Sequence, residues 1–122
     1  MRASDNIGLH KTDKTLYART RENCHTSEKV LEARLRKAVE ARGGKALKLL
    51  SQLHRGLPDR MILLPGGWII FVEIKTTGKR PTELQRHCHE QLRQMDFLVF
   101  VVDSEITLKA VLDVVDELMR KQ

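Results

Sequence analysis

Cysteine is scarce in this chain: two in 122 residues, Cys24 and Cys88. Two thiols cannot build a disulfide framework, and a reducing, cytosolic setting is the default for such usage. Long apolar runs are missing as well. The longest, around Trp68–Val72 and Phe97–Val102, fall far short of the roughly 20 residues a membrane-spanning helix requires, so no membrane partner is expected. The opening stretch, MRASDNIGLHKTDKTLYART, has no apolar core of the kind a secretion signal carries, and the expected location is cytoplasmic. With 41% hydrophobic and 31% charged residues, the chain is neither disordered nor collagen-like. Its length suits one domain with a real core.

Charge is plentiful and unevenly placed. Residues 1–80 carry 17 basic and 8 acidic side chains, whereas residues 81–122 carry 5 and 8, for a formal net charge of +6. A polyanion would be drawn to the first part. The same lysines and arginines also suit ordinary solvated helix faces, so charge alone does not decide for nucleic acid.

Residues 1–26 are polar and aperiodic and read as a flexible arm, leaving 27–122 as the domain. Ser27 suits the N-cap of a helix over 28–42 with Leu31, Leu35, Ala38 and Val39 on its buried stripe, and Gly43-Gly44 supplies the stop. Strands are expected at Lys45–Leu50, Asp59–Leu64 and Trp68–Lys75, the last two joined by a Pro65-Gly66-Gly67 turn. Pro81 and Thr82 open a helix to about Met95, with a stripe of Leu84, Cys88, Leu92 and Met95. A strand at Phe97–Asp103 precedes a last helix, capped by Ser104, whose apolar face is Leu108, Val111, Leu112, Val115, Leu118 and Met119. The order is αβββαβα, an α/β or α+β sandwich.

The hairpin is the informative element. Trp68–Val72 is apolar on both faces, as in a central strand covered on both sides. Side chains alternate, so Glu73 and Lys75 share the face of Ile69 and Phe71. If the three-residue turn pairs Leu64 with Trp68, Asp59 falls opposite Glu73, at a Cβ separation of about 5 Å. Two carboxylates that close repel each other, and burial penalises both. A hard divalent cation with oxygen ligands would compensate. Equally, Lys75 could neutralise one carboxylate and Arg60 the other in a plain ion cluster. Hairpin geometry leaves these two readings level.

Gly56-Leu57-Pro58-Asp59-Arg60, followed by Phe71-Val72-Glu73-Ile74-Lys75, resembles the signature of the PD-(D/E)xK nuclease superfamily. With Glu32 on the first helix, the Gly43-Gly44 break and Gln85 on the second helix, the pattern is similar to the VRR-NUC family within it. The likeness covers about 27–103. It implies a restriction-endonuclease-like core, a central mixed sheet flanked by helices. It implies a metal-dependent endonuclease using Mg²⁺ or Mn²⁺, held by Asp59, Glu73 and the Ile74 backbone carbonyl. Lys75 would hold or help deprotonate the attacking water and offset charge at phosphorus.

By the same resemblance Glu32 is a third acid, although on its helix it sits at the margin of the apolar stripe, where it could equally meet solvent. Gln85 would act near the catalytic centre, yet Thr82-Glu83-Leu84-Gln85 also reads as a capping box. Small free-standing relatives imply a homodimer acting on branched DNA such as four-way (Holliday) junctions, in a bacterial or phage-infected cytosol. The alternatives are a nuclease for flap, single-stranded or duplex DNA and a non-catalytic DNA-binding module. Val114, apolar but off the last helix's stripe, is a faint hint of a dimer surface.

Arg55, Lys79 and Arg80 are candidate phosphate contacts. Arg60 alternates away from Asp59 and suits a structural ion pair. Zinc is not expected: His87 and His89 point about 200° apart on a helix, no C-x₂-C pair exists, and Cys88 reads as a core residue.

Overall fold

The structure, a computed structural model, describes residues 27–50 and 55–121. The expected arm over 1–26, with Cys24 and His25, lies outside the described residues, as does His54. The elements run α1 (Glu28–Ala41), β1 (Lys45–Lys48), β2 (Arg60–Leu64), β3 (Trp68–Ile74), α2 (Glu83–Gln94), β4 (Leu98–Val102) and α3 (Glu105–Arg120). This is the expected order. The four strands form one sheet in the order β1-β2-β3-β4, antiparallel except for the parallel β3–β4 pair. The fold is α+β with a mixed sheet.

Local chemistry explains where α1 begins and ends. Ser27 Oγ accepts from the Val30 amide at 3.3 Å, satisfying one of the free amides of the first turn. At the other end the Gly44 amide reaches the Val39 carbonyl and the Gly43 amide the Glu40 carbonyl, both at 3.0 Å. This is a Schellman closure, and it requires the left-handed φ of +86° that Gly43 adopts.

One face of the sheet, carrying Ile62, Leu64, Ile70, Val72, Ile74 and Val102, packs with Leu31, Leu35 and Val39 of α1 and Leu108, Val111, Val115 and Leu118 of α3 into the main core. Burial of each such side chain is worth about 1.5–3 kcal/mol. Helix α2 lies on the other face, against β4. It is short, and β3 is therefore covered on both sides only toward its C-terminal end. Trp68 and Ile69, at its start, remain exposed together with Phe97 and Leu98, which corrects the expectation of a strand enclosed throughout. Phe97 does pack edge-on against Phe71, with ring centroids 5.5 Å apart.

Three further expectations need revision. Leu50 is exposed and β1 stops at Lys48. Val114 is partly buried against the core rather than standing clear of it. In α2 the buried residues are His89 and Leu92, whereas Leu84 and Met95 are exposed and Cys88 is only half-buried. The helix is rotated from its apolar stripe because a polar face, described below, is turned toward the sheet.

Helices α1 and α3 are also tied by charge. Arg42 donates to both Asp116 oxygens, at 2.5 and 3.3 Å. The hydrogen bond to Arg42 holds the Asp116 carboxyl below its ordinary value of 3.8. A lowered carboxyl stabilises the fold above its unfolded value and loses that contribution as pH falls through its folded one. Asp116→Asn is therefore expected to melt earlier than the unaltered protein at neutral pH, with the difference closing only in strong acid. Thermal unfolding of both proteins from pH 7 down to pH 2 measures this.

Candidate functional site

The β2–β3 register is the one expected from the turn. Leu64 pairs with Trp68 and Arg60 with Val72, so Asp59 and Glu73 stand opposite each other one step beyond the last paired residues. Pro58 is fully buried just before them, and the strand begins only after Asp59. The Ile74 amide donates to Asp59 Oδ1 at 3.2 Å, which pins the aspartate to the end of β3. The Lys75 amide in turn reaches the Val102 carbonyl at 2.9 Å, extending the link to β4.

Glu73 is almost wholly buried. Its Oε2 receives the Gln85 side-chain amide at 3.0 Å and faces Lys75 Nζ at 3.4 Å. Its Oε1 has no hydrogen-bond partner. Gln85 makes two separate contacts, one at the helix cap and one to Glu73. Its Oε1 caps α2 by accepting from the Thr82 amide at 2.8 Å, while its Nε2 holds Glu73. A primary amide has an acceptor and a donor end, and capping uses only the first.

Both acids are pushed above the ordinary carboxylate range. For Asp59 the cause is burial, opposed by the Ile74 amide and the Arg60 guanidinium. For Glu73 it is burial and then the charge of Asp59, opposed by Lys75 and, more weakly, by the Asp59 amide. Each cation of the ion-cluster alternative is present, Lys75 beside Glu73 and Arg60 3.7 Å from Asp59. Neither outweighs burial. A site that holds two carboxylates against their preference to ionise is poised to take up positive charge from elsewhere.

Glu32 is not part of the immediate pair. It lies 3.6 Å from Arg36 and 3.7 Å from Arg60. Arg60 is on the α1 side of the sheet, as its alternation from Asp59 requires, and it links Glu32 to Asp59 through ion pairs with both. Among the described residues, no three His, Cys, Asp or Glu side chains converge closely enough to hold a metal. Any ion at this site would therefore rest on two side-chain carboxylates, completed by backbone and solvent oxygens.

Arg55, Lys79 and Arg80 are exposed, on the loops that lead into Asp59 and out of Lys75. Gly56 brings the first of those loops onto α2: a Cβ there would sit 2.8 Å from the Leu84 carbonyl oxygen. His87 is exposed and His89 buried, so the two lie on different sides of α2. His89 is the residue that sequence reasoning passed over, because a search for metal-ligand spacing set it aside. The available signal was its position four residues after Gln85, one turn along the same helix face. Its Nε2 lies 4.0 Å from Glu73 Oε1 and, like that oxygen, has no hydrogen-bond partner. Burial, with the positive charges of Arg93 and Lys75, holds its pKa below the ordinary histidine value.

A search against family models finds no match. Over 78 residues, 64% of this chain and 84% of the relative, the sequence is 42% identical to "Putative nuclease p44" of Acyrthosiphon pisum secondary endosymbiont phage 1. A solved structure described as a VRR_NUC domain superposes with a TM-score of 0.67 at 30% identity, covering 72% of this chain and 97% of that one. No helix among the described residues is long and apolar enough to cross a membrane. With the carboxylate pair, the adjoining lysine and the fold in agreement, the chain belongs to the VRR-NUC family of nucleases.

Proposed function

We propose that this nuclease is a metal-dependent endonuclease that cuts branched DNA, four-way junctions in particular, as a homodimer. The observation that carries the metal dependence is Glu73: a buried carboxylate with an unpartnered oxygen, opposite a second carboxylate and flanked by a lysine. This all-oxygen donor set suits Mg²⁺ or Mn²⁺. Asp59, Glu73 and the Ile74 carbonyl would hold the ion, which when bound polarises the scissile phosphate and acidifies the attacking water.

The remaining work falls to the chain's own groups. Lys75 Nζ, tethered beside Glu73, holds and orients the water and offsets charge that develops on phosphorus. Gln85 keeps Glu73 Oε2 in place. Arg60 steadies Asp59 from behind and couples it to Glu32, which acts as a more distant acid. Arg55, Lys79 and Arg80 meet phosphates along the substrate on either side of the cut.

The homodimer reading draws on the apolar group at the starts of β3 and β4, Trp68, Ile69, Phe97 and Leu98. Trp68 lies about 17 Å along the strand from Glu73 and Leu98, which pairs with Ile70, about 10 Å at roughly 3.3 Å per residue, so a second copy could cover the group without blocking the carboxylates. Two-fold symmetry in the protein would match the symmetry of a four-way junction.

The test is cleavage of labelled four-way junction, flap, duplex and single-stranded DNA with Mg²⁺, Mn²⁺ or EDTA, beside Asp59→Ala/Glu73→Ala. Paired nicks across the junction that need metal and vanish in the double variant are expected. Cutting of another substrate would retain the site and reject the junction preference. Binding without cutting under every condition would point to a non-catalytic DNA-binding module instead.

A further inference from the structure

A buried ring nitrogen without a hydrogen-bond partner is destabilising, and a leucine would fill the same space without that cost. His89 is nonetheless among the most deeply buried side chains of the molecule, at 1% exposure. It sits one helical turn beyond Gln85, on the face that α2 turns toward β3. The two residues address the two oxygens of one carboxylate. Gln85 Nε2 holds Glu73 Oε2 at 3.0 Å, and His89 Nε2 lies 4.0 Å from Glu73 Oε1. Both atoms of the second pair lack partners. A sub-ångström movement of each brings them into hydrogen-bond contact.

We infer that His89 is a positioning residue for Glu73, its Nε2–H set to hold Oε1 while Gln85 holds Oε2, so that α2 orients the carboxylate for metal binding. This inference rests on the proposed metal-dependent reading of the site. The two donors act on different oxygens, so neither can replace the other, and Oε1 keeps a second lone pair for the ion. Groups that orient a metal-binding carboxylate from behind typically change metal affinity or activity by 10–100-fold when removed.

The experiment compares the full-length protein with His89→Leu and His89→Gln. Leucine keeps the bulk and removes the donor, whereas a glutamine amide restores an N–H near the Nε2 position. Mn²⁺ binding without DNA is followed by calorimetry, and metal-dependent cleavage is resolved into kcat and KM. Thermal unfolding is followed alongside. His89→Leu is expected to bind Mn²⁺ about 10–100-fold more weakly and to lose kcat by a similar factor with KM for DNA little changed, and His89→Gln to recover most of both.

Equal Mn²⁺ affinity and cleavage in His89→Leu and the unaltered protein would overturn the inference. So would equal impairment of the two variants, which marks a packing role. If His89→Leu does not fold, His89→Met takes its place with the same two criteria, its flexible side chain accommodating the cavity. Should the unaltered protein itself bind no Mn²⁺ and cut no DNA, the metal-dependent reading fails and the inference with it. That result differs from failure of the inference alone, in which the unaltered protein binds and cuts.

Discussion

Glu73→Gln is expected to raise the unfolding midpoint of the metal-free protein at pH 7 by several degrees while lowering DNA cleavage by at least about 10²–10³-fold. The second effect is the size of losing one pre-organised electrostatic group at a reacting centre. The first follows from linkage. Glu73 carries a raised pKa in the fold, caused by burial and by Asp59 and net of the attraction to Lys75. A carboxyl raised on folding imposes no penalty below its unfolded value, and the penalty grows as pH rises through the folded value.

The stabilising effect of Glu73→Gln should therefore be absent near pH 4 and grow as the pH is raised from there toward 7. Relieving a strained functional group is commonly worth about 0.5–2 kcal/mol, and each kcal/mol corresponds to about 4–8 °C in a domain of this size class. Added Mn²⁺ should reverse the order. An ion that binds only the folded state contributes about 2.7 kcal/mol at one hundred times its Kd, and the glutamine variant forgoes it. Melting curves at pH 4 and pH 7, with and without Mn²⁺, test the prediction. A variant less stable than the parent at pH 7 without metal would contradict it.

Gly56→Ala is expected to cost about 2–5 kcal/mol of stability and, in the fraction that remains folded, to slow cleavage at least about tenfold. Gly56 has φ = +93°, which for a residue with a Cβ costs roughly 1–2 kcal/mol. An added Cβ would also come within 2.8 Å of the Leu84 carbonyl oxygen and 3.1 Å of Leu84 Cγ, and overpacking of that kind adds roughly 1–3 kcal/mol.

The obstacle is backbone, so the loop must move off α2. Asp59 is three residues beyond Gly56 and Gln85 is the residue after Leu84, so that movement separates the two sides of the site. Misplacement by about 1 Å can cost about a hundredfold in rate. Gly67→Ala is the control: its φ is +85°, nothing lies within 4 Å of an added Cβ, and it sits in the β2–β3 turn far from Glu73. It should lose about 1–2 kcal/mol with unchanged cleavage per folded molecule. Equal losses in the two variants, measured by denaturant unfolding and by rates corrected for folded fraction, would show that the close approach to α2 is not what demands glycine.

How much of this was readable in advance depended on how local the determinant was. The juxtaposition of Asp59 and Glu73 needed only a period of two residues and a three-residue turn. These fix which residues oppose one another before any other part of the chain is considered. The observed register of Arg60 with Val72 is the result. Helix starts at Ser27, Thr82 and Ser104 were legible for the same reason, because a cap is a contact between residues three apart.

The rotation of α2 was not legible. A helical wheel ranks faces by hydrophobicity and nominated Leu84, Cys88, Leu92 and Met95. Of these the fold buried Leu92, and it turned inward beside it Gln85, from the edge of that stripe, and His89, because Glu73 stood on the facing strand and a buried carboxylate requires donors. Which face of a helix is buried is decided by the surface it meets, and that surface belongs to a different part of the chain.

The same distinction separates Glu32 from the carboxylate pair. Its place at the margin of the α1 stripe was clear from spacing, but its pairing with Arg60 across the α1–sheet contact required the two elements to be packed together. By itself, then, the amino-acid sequence determined the element order, the hairpin register and the meeting of two carboxylates beside a lysine, all set by short-range geometry. Only the tertiary structure decided which groups surround those carboxylates and raise their pKa values, because burial and long-range partners exist only once the layers have closed.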